Sequence, residues 1–415
     1  MATVNIVYSV CCGIDVHKGF LIACIATTDE HNHTTHQTRR YSTFTGDLRR
    51  LAQWLLSNNC KDVCIESTGK YWIPVFNILE KTCNVCLTHP KYVKAIKGKK
   101  TDKKDAKWIT ELFKCDLVRS SFIPPEDVRQ LRDLCRYNAK LTCANSSEKN
   151  RAQNCLTVCN FKLDDVFSDV FGKSASLVLD KLLEIRNSNF DVEPLLDRHC
   201  RATPAEVKSA LDGELTLAQA EKIKLIRQHM ESLNSLKSAN EALIMRLAQK
   251  YQSQIDLLMT VPGISTPLTA IRILAEIGVD MSVFQTAKHL VSWAGLSPQN
   301  NESAGKKKTN RISRAGAYLK PLLVQIALSI GKSDKCPELK DKYQALKKRR
   351  GSKKAVIAIA RKLLTIIWHI LSKNTPYNAK LYQKSDKPPV NRVLTPEQAF
   401  AFLRSKGFQI SEPVA

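Results

Sequence analysis

The chain has 415 residues, with 64 lysines and arginines against 39 acidic residues and a formal net charge of +25. Its 43% hydrophobic content excludes wholesale disorder, and its length suggests roughly two or three domains. A charge of this size points to a polyanionic partner, either nucleic acid or an anionic membrane surface.

The first 115 residues alternate strand and helix patterns. β-Branched and apolar residues predict three meander strands at Val4–Ile14, Phe20–Thr27 and Arg39–Thr45. Helices and strands then alternate over Gly46–Asn58, Asp62–Ile65, Tyr71–Glu80, Asn84–Thr88 and from Asp102 onward. This order is typical of an α/β domain of the RNase H-like kind, which we expect to end near Pro124.

The region from about Asp127 to Lys250 has a helical pattern throughout. Pro204 after Thr203 predicts the start of a new helix. An apolar stripe runs through Ile223, Ile226, Met230, Leu233 and Leu236. It is compatible with a core inside the chain, the simpler interpretation, or with a coiled-coil seam that supports dimerisation.

A smaller all-α domain follows Asp256, and then a basic helical tail in which Thr395 and Pro396 predict a capped helix. The predicted organisation is an α/β domain at 1–122, a helical, coiled-coil-like region at 123–254, an all-α domain at 255–350 and a tail at 351–415.

Membrane insertion is disfavoured. The two most apolar stretches, Ala317–Ile330 and Ala355–Leu371, are interrupted by lysine or arginine, so neither offers the roughly 20 apolar residues that a span needs. The N-terminus also lacks the basic region of a signal peptide. We therefore expect no membrane partner and a cytoplasmic location.

The cysteines and histidines give no strong metal signal. The 14 cysteines are dispersed, and the CxxC pair of Cys83 and Cys86 has no second pair near it in sequence. Buried reduced thiols in a reducing compartment are the simpler interpretation. His31, His33 and His36 resemble a solvated hairpin loop.

The positive charge is concentrated in two places. Eight lysines and two acids occupy residues 91–107, and eighteen cations and three acids occupy residues 305–362. Near the first concentration, Lys99, Lys100, Lys103 and Lys104 are candidates for contacts with a nucleic-acid backbone.

Four acids are candidates for a metal site. Asp15 ends the first strand and Glu66 ends the Asp62–Ile65 strand, so neighbouring strands would bring the two carboxylates together. Asp102 and Asp105 are three apart at the start of a helix and share one face. Hard oxygen ligands of this kind suit Mg²⁺ or Mn²⁺ at a scissile phosphate. Taken alone, Asp102 is more simply interpreted as a helix cap and Glu66 as an acid in a loop.

Two C-terminal motifs point to phosphate. Gly263, in VPGIS before an apolar helix, matches a helix-hairpin-helix pattern. Ser303, in NNESAGKKK, precedes five cations that could stabilise charge at phosphorus, namely Lys306, Lys307, Lys308, Arg311 and Arg314. From the chemistry alone, an ordinary loop serine remains the simpler interpretation.

Six motifs occur in this order along the chain: GIDVHK, IESTGKYW, KTDKKDAKWI, VPGIS, WAGLSP and NNESAGKKK with RAGAYLK. In sequence and in order they resemble the motifs of insertion-sequence transposases with a RuvC-like DEDD domain and a catalytic serine, the bridge-RNA-guided recombinases. The resemblance implies that Asp15, Glu66, Asp102 and Asp105 bind metal and that Ser303 is the nucleophile. It also implies donor and target DNA, a structured guide RNA and a homo-oligomer, dimer or tetramer, as partners. One departure is Ala304, where the family usually has glycine.

Two other functions stay open. A metal-dependent endonuclease or Holliday-junction resolvase would use the acids with water as nucleophile, which leaves NNESAGKKK unexplained. A non-catalytic nucleic-acid-binding protein would leave the acids unexplained. The expected function is therefore DNA transposition through a covalent phosphoserine intermediate.

Overall fold

The computed structural model describes residues 5–67, 69–93, 101–299, 301–303, 306–309, 311–382, 395–405 and 407–408. Within these ranges an α/β sheet region at the N-terminus is followed by a mostly helical remainder, as the sequence predicts. Ser303 and the lysines beside it are described by their backbone alone, and Lys99 and Lys100 lie outside the described residues.

Five strands form one mixed sheet, and their bounds are β1 Val10–Val16, β2 Phe20–Thr28, β3 Thr34–Ser42, β4 Asp62–Glu66 and β5 Asn84–Thr88. The spatial order is β3-β2-β1-β4-β5. The first three strands pair antiparallel, whereas β4 and β5 run parallel to β1. The carboxyl ends of β1, β4 and β5 therefore lie along one edge of the sheet.

Two strands begin at residues other than the predicted ones. β1 begins at Val10 because the backbone N–H groups of Val7 and Tyr8 donate to Lys114 O instead of to a neighbouring strand. β3 begins at Thr34, since an edge strand with one face in solvent accepts polar residues that resemble a loop in sequence. His36, expected in a loop, lies in β3, and its Nε2 is 2.5 Å from Glu111 Oε1.

Helices cover both faces of this sheet. α1 (Thr45–Ser57) and α2 (Trp72–Leu79) pack on one face, where Leu51 and Leu55 of α1 join Ile14 and Ile65 in a buried cluster. After the short α3 (Pro90–Val93), α4 (Asp102–Lys114) covers the other face. All fourteen cysteines are free thiols.

Two long helices form an antiparallel pair in the middle of the chain. The helices from here on are α5 Glu126–Val158, α6 Leu163–Val166, α7 Lys173–Ile185, α8 Pro204–Ala210 and α9 Leu217–Ala248. α5 and α9 run antiparallel, because Asn138 bonds Glu241 whereas Asn145 bonds Asn234. The stripe on α9 is buried from Ile223 to Leu233, inside the chain as the simpler interpretation has it, while Leu236 is 50% exposed.

The C-terminal helices share one core. Their bounds are α10 Gln252–Met259, α11 Pro267–Ile277, α12 Ala287–Trp293, α13 Leu319–Lys332, α14 Pro337–Arg350, α15 Ser352–Lys373 and α16 Pro396–Ser405. Two short strands, β6 (Asn301–Ser303) and β7 (Lys306–Thr309), form a hairpin between α12 and α13. α15 is long and apolar enough to cross a membrane by composition, but Ile359, Leu363 and Ile367 are buried in this core. Its apolarity is therefore explained by packing.

α5 joins the sheet region to the C-terminal core through three arginines one turn or less apart. Arg129 donates to both carboxylate oxygens of Glu80, at the end of α2. Arg132 donates to the backbone carbonyls of Ala275 and Glu276 in the last turn of α11, each at 2.8 Å. Arg136 makes a two-pronged bond to the Glu276 carboxylate at 2.7 and 2.8 Å, which raises the pKa of Arg136. These bonds also satisfy carbonyls at a helix end.

Replacing Glu276 by alanine tests this junction. The change leaves Arg136 without its carboxylate, and because Arg136 is 40% exposed we expect a loss of about 2 kcal/mol, less than for a fully buried pair. Denaturant unfolding measures it. Glu184→Ala, which removes an exposed pair with Lys181, is the matched control and should change stability by less than about 0.5 kcal/mol. Equal effects of the two changes would contradict a structural role for the junction.

Candidate active site

Asp15 and Glu66 occupy adjacent strands at the carboxyl edge of the sheet. The parallel register pairs Ile14 with Ile65, so the next residue of each strand is one of the two acids. Ile14 and Ile65 face the α1 and α2 side, and alternation along a strand turns Asp15 and Glu66 to the α4 side. Asp15 is 7% exposed. The sheet thus places two carboxyl groups side by side, as the sequence predicts.

α4 reaches these acids because β1 has a glycine where the helix crosses it. A Cβ on Gly13 would lie 2.5 Å from Thr110 N and 2.8 Å from Ala106 O. The Gly13 N–H donates instead to Thr110 Oγ1 at 3.0 Å, and that hydroxyl lies 2.9 Å from Cys24 O. The helix therefore rests directly on the backbone of β1 and β2.

The first turn of α4 brings Asp102 to the same edge, close to Asp15. Thr101 caps the helix, and its side chain accepts a bond from Lys104 N at 3.4 Å. Asp102 and Asp105 lie in that first turn, where negative charge is favoured by the helix dipole. The cap is therefore Thr101 and not Asp102.

His17 completes a compact group that the sequence analysis missed. Its Nε2 lies 3.2 Å from Asp15 Oδ2 and 3.5 Å from Asp102 Oδ1. Each of these three residues offers one donor atom, and the three atoms lie within 4.8 Å of one another. Side chains placed in this way could hold one metal ion between them. The signal was available in GIDVHK, because residues two apart on a strand face the same side.

The serine hairpin is held at its base. Ser303 pairs with Lys306 across β6 and β7, and Ala304 and Gly305 between them lie outside the described residues. Below the hairpin, Gln299 N donates to Arg311 O at 3.2 Å. The sequence places Ser303 in a polar loop, whereas its backbone ends a short strand.

Two glycine-containing segments close this base. Gly316 of RAGAYLK packs so closely on Ala294 of WAGLSP that a Cβ would collide with the Ala294 carbonyl. Lys320 donates to Ser313 O at 2.5 Å, and burial lowers the pKa of Lys320. The hairpin that bears Ser303 is therefore tied to the start of α13.

Comparison with known proteins identifies the family of this chain. A model described as "Transposase", that of the IS110 DEDD domain, matches residues 12–161. A second, described as "Transposase IS116/IS110/IS902 family", matches residues 255–344. Together they cover more than half of the chain. The first includes the acid cluster, which consists of the candidate acids Asp15, Glu66, Asp102 and Asp105, and the second includes the hairpin. The chain belongs to this family of insertion-sequence transposases.

Relatives agree with the family. The transposase is 26% identical over 327 residues to a "Probable family 20 transposase" of Pseudomonas aeruginosa, covering 76% of this chain and 85% of that protein. It is 33% identical over 135 residues to a "Pilin gene-inverting protein" of Moraxella bovis, 31% of this chain and 40% of that protein. A transposase for insertion sequence element IS1111A of Coxiella burnetii is 30% identical over 155 residues, 37% of this chain and 39% of that protein. This protein is thus an enzyme that acts on DNA.

The basic residues predicted to contact nucleic acid lie at separate places on the transposase. Lys103 and Lys104 are exposed in the first turn of α4, beside the acids, and Arg311 and Arg314 are exposed after the hairpin. A further exposed group lies where α14 meets α15, formed by Lys347, Lys348, Arg349, Arg350, Lys353 and Lys354. These last charges are part of the basic stretch at residues 305–362, but no contact was predicted for them.

The VPGIS motif lies between two helices. Gly263 has a φ of +83° in the short connection from α10 to α11, a left-handed conformation that glycine adopts most readily. A Cβ there would also meet Ile326 of α13 at 2.7 Å. Backbone conformation and packing therefore account for the glycine of this motif.

A methyl group at Gly13 should separate α4 from the sheet. We expect Gly13→Ala to destabilise the transposase by about 2 kcal/mol, since the obstacles are backbone atoms that cannot rotate away. Gly46→Ala is the control, because a Cβ there meets nothing within 4 Å and alanine favours the helix. Urea unfolding of both variants checks this, and a Gly13→Ala protein as stable as Gly46→Ala would refute the close approach.

Proposed function

We propose that this transposase cuts and exchanges DNA strands of a mobile insertion sequence through a covalent phosphoserine link at Ser303. A divalent cation, Mg²⁺ or Mn²⁺, is held by Asp15, Glu66, Asp102 and Asp105. The observation that supports this most strongly is the convergence of Asp15 and Asp102, which are 87 positions apart in sequence, on one point at the sheet edge.

The residues at this edge fit a hard divalent cation. Carboxylate oxygens are the ligands that Mg²⁺ and Mn²⁺ prefer, and a cation lets several neighbouring acids stay ionised together by offsetting their repulsion. The buried Asp15 has Glu66 beside it in the next strand. A cation bound here would neutralise charge on the scissile phosphate.

The serine supplies the covalent step. The Ser303 hydroxyl oxygen forms a bond to phosphorus, the bond from phosphorus to a deoxyribose oxygen breaks, and the serine proton ends on the released DNA hydroxyl. Attack by a DNA hydroxyl of the partner strand reverses these events and frees the serine, so no net hydrolysis occurs. Lys306, Lys307, Lys308, Arg311 and Arg314 are proposed to offset the negative charge at phosphorus.

Strand exchange without net hydrolysis agrees with the names of two relatives, the pilin gene-inverting proteins of Moraxella bovis and Moraxella lacunata. The Moraxella proteins are named for inverting a pilin gene, which requires DNA ends to be rejoined as well as cut. An endonuclease or Holliday-junction resolvase that uses water remains the second candidate, because the acid cluster alone could activate a water molecule.

The surroundings of the two centres belong to the same proposal. The sheet region at 1–122, with its β3-β2-β1-β4-β5 order, acts as an RNase H/RuvC-like domain. The regions at 123–254, 255–350 and 351–415 act as a helical connector, a serine-bearing domain and a basic tail. Gly263 with the N-terminus of α11 contacts phosphate as a helix-hairpin-helix element, and Lys99, Lys100, Lys103, Lys104 and the cations between α14 and α15 contact nucleic-acid backbone.

Donor DNA, target DNA and a structured guide RNA are the proposed partners, bound by a dimer or tetramer in the cytoplasm. In such an oligomer the acids and Ser303 form a composite site, within one subunit or between subunits. The resemblance of the motifs to the bridge-RNA-guided recombinases supports this part.

Replacing Ser303 by alanine tests the nucleophile. With metal and DNA substrate, wild-type protein should form a protein–DNA adduct that survives denaturing electrophoresis, and Ser303→Ala should form none, because it has no hydroxyl to join to phosphorus. Ser297→Ala, in the connection between α12 and the hairpin, is the control and should keep the adduct. Cleavage to free ends by Ser303→Ala would favour the nuclease that uses water.

Purification with nucleic acid retained tests RNA guidance. We expect a discrete RNA, encoded beside the gene, to remain bound at low salt and to be released steeply as salt rises, because contacts with phosphate release counterions. Sequencing of the retained RNA identifies it. A heterogeneous mixture of cellular RNA would contradict the guide.

A further inference from the structure

We propose that His17 is a ligand to the cation at the acid cluster and that its imidazole nitrogen makes the site bind Mn²⁺ more tightly than Mg²⁺. This inference rests on the metal centre proposed above. It adds a nitrogen to a centre that the motifs describe by carboxylates alone.

The position of His17 follows from the strand. β1 alternates Asp15 toward α4, Val16 into the core under α1, and the next residue toward α4 again. His17 directly follows β1 and opens the turn to β2, where its N–H donates to Phe20 O at 2.8 Å. The side chain therefore starts from the same face and the same edge as Asp15.

The Nε2 atom of His17 is buried between two carboxylates. It makes no hydrogen bond within the described part of the chain, although Asp15 Oδ2 and Asp102 Oδ1 lie 3.2 and 3.5 Å away. Both distances are short enough for a bond, so it is the alignment that is missing. A buried polar atom without a partner is costly.

A shared cation would satisfy all three groups. Ligands next to each other around an octahedral ion, each about 2.1 Å from it, are separated by about 3 Å. The separations of Nε2 from the two carboxylate oxygens are close to that value.

The imidazole is held in place from behind. Its ring centroid lies 4.7 Å from that of Phe20, and the Arg40 guanidinium lies 4.0 Å over the Phe20 ring. The turn is fixed by Thr43, whose hydroxyl donates to Lys18 O at 2.9 Å. A ligand that is already oriented loses little freedom when an ion binds.

Nitrogen changes which ion the site prefers. Mg²⁺ is a hard ion that favours oxygen and retains water, whereas imidazole is a good ligand for first-row transition ions. Removing His17 should therefore weaken Mn²⁺ binding much more than Mg²⁺ binding. If His17 only oriented Asp15 through an ion pair, its removal would weaken both ions by the same factor.

Calorimetric titration of the metal-stripped, full-length protein without nucleic acid tests this, at one pH and ionic strength. For His17→Ala we expect Mn²⁺ affinity to fall tenfold or more and Mg²⁺ affinity to fall threefold or less, and His17→Gln should behave likewise. His33→Ala, an exposed histidine of the β2–β3 turn, should leave both affinities unchanged. Equal losses for the two ions in the His17 variants would overturn the proposal.

Electron spin-echo spectra of bound Mn²⁺ give a readout that needs no variant. Wild type should show coupling to an imidazole ¹⁴N nucleus, which His17→Ala loses and His33→Ala keeps. Bound Mn²⁺ without ¹⁴N coupling in wild type would refute the role of His17 while leaving the carboxylate centre intact. Asp15→Asn separates the two ideas, since it should lose both ions, and a wild type that binds neither ion would refute both.

Discussion

The contact on which the site depends is the one between the backbone of Gly13 and helix α4. No side chain separates them, so Thr110 can accept a bond from the Gly13 N–H and the helix can lie flat on β1. The first turn of α4 then reaches the carboxyl end of the strand. A side chain at residue 13 would move that turn away, and Asp102 would no longer lie near Asp15 and His17.

Helix α5 relates the two halves of the molecule. Arg129 bonds the end of α2, and Arg132 and Arg136 bond the end of α11, all from one rigid element. Burial lowers the pKa of Arg132 to about 10, because the charged guanidinium is partly removed from water. Its bonds to carbonyls compensate for that loss of hydration. The sheet region and the C-terminal core are thus both attached to the first turns of α5.

The charges that make up the net charge of +25 are separated in space in the structure. The acids of the sheet edge are buried or half-buried, whereas Lys103, Lys104 and the cations between α14 and α15 are exposed. Positive charge on the outside and carboxylates recessed behind it suit a polyanion whose phosphate must approach a cation. A membrane surface would need neither the recessed acids nor the match to a transposase family.

The order of strands and helices, the strand-end positions of Asp15 and Glu66, and the helix starts at Asp102 and Pro204 could be predicted, because alternation and capping are local properties. For His17 the sequence indicates only the side of β1 that it faces. Its contact with Asp102 and the contact of His36 with Glu111 could not be predicted, since each depends on α4, which returns to the sheet more than seventy residues later. The amino-acid composition of α15 likewise could not predict that this helix is buried in the C-terminal core. The sequence by itself determined which residues could perform the chemistry. Only the tertiary structure decided which of them meet, because that depends on how closely two backbones approach.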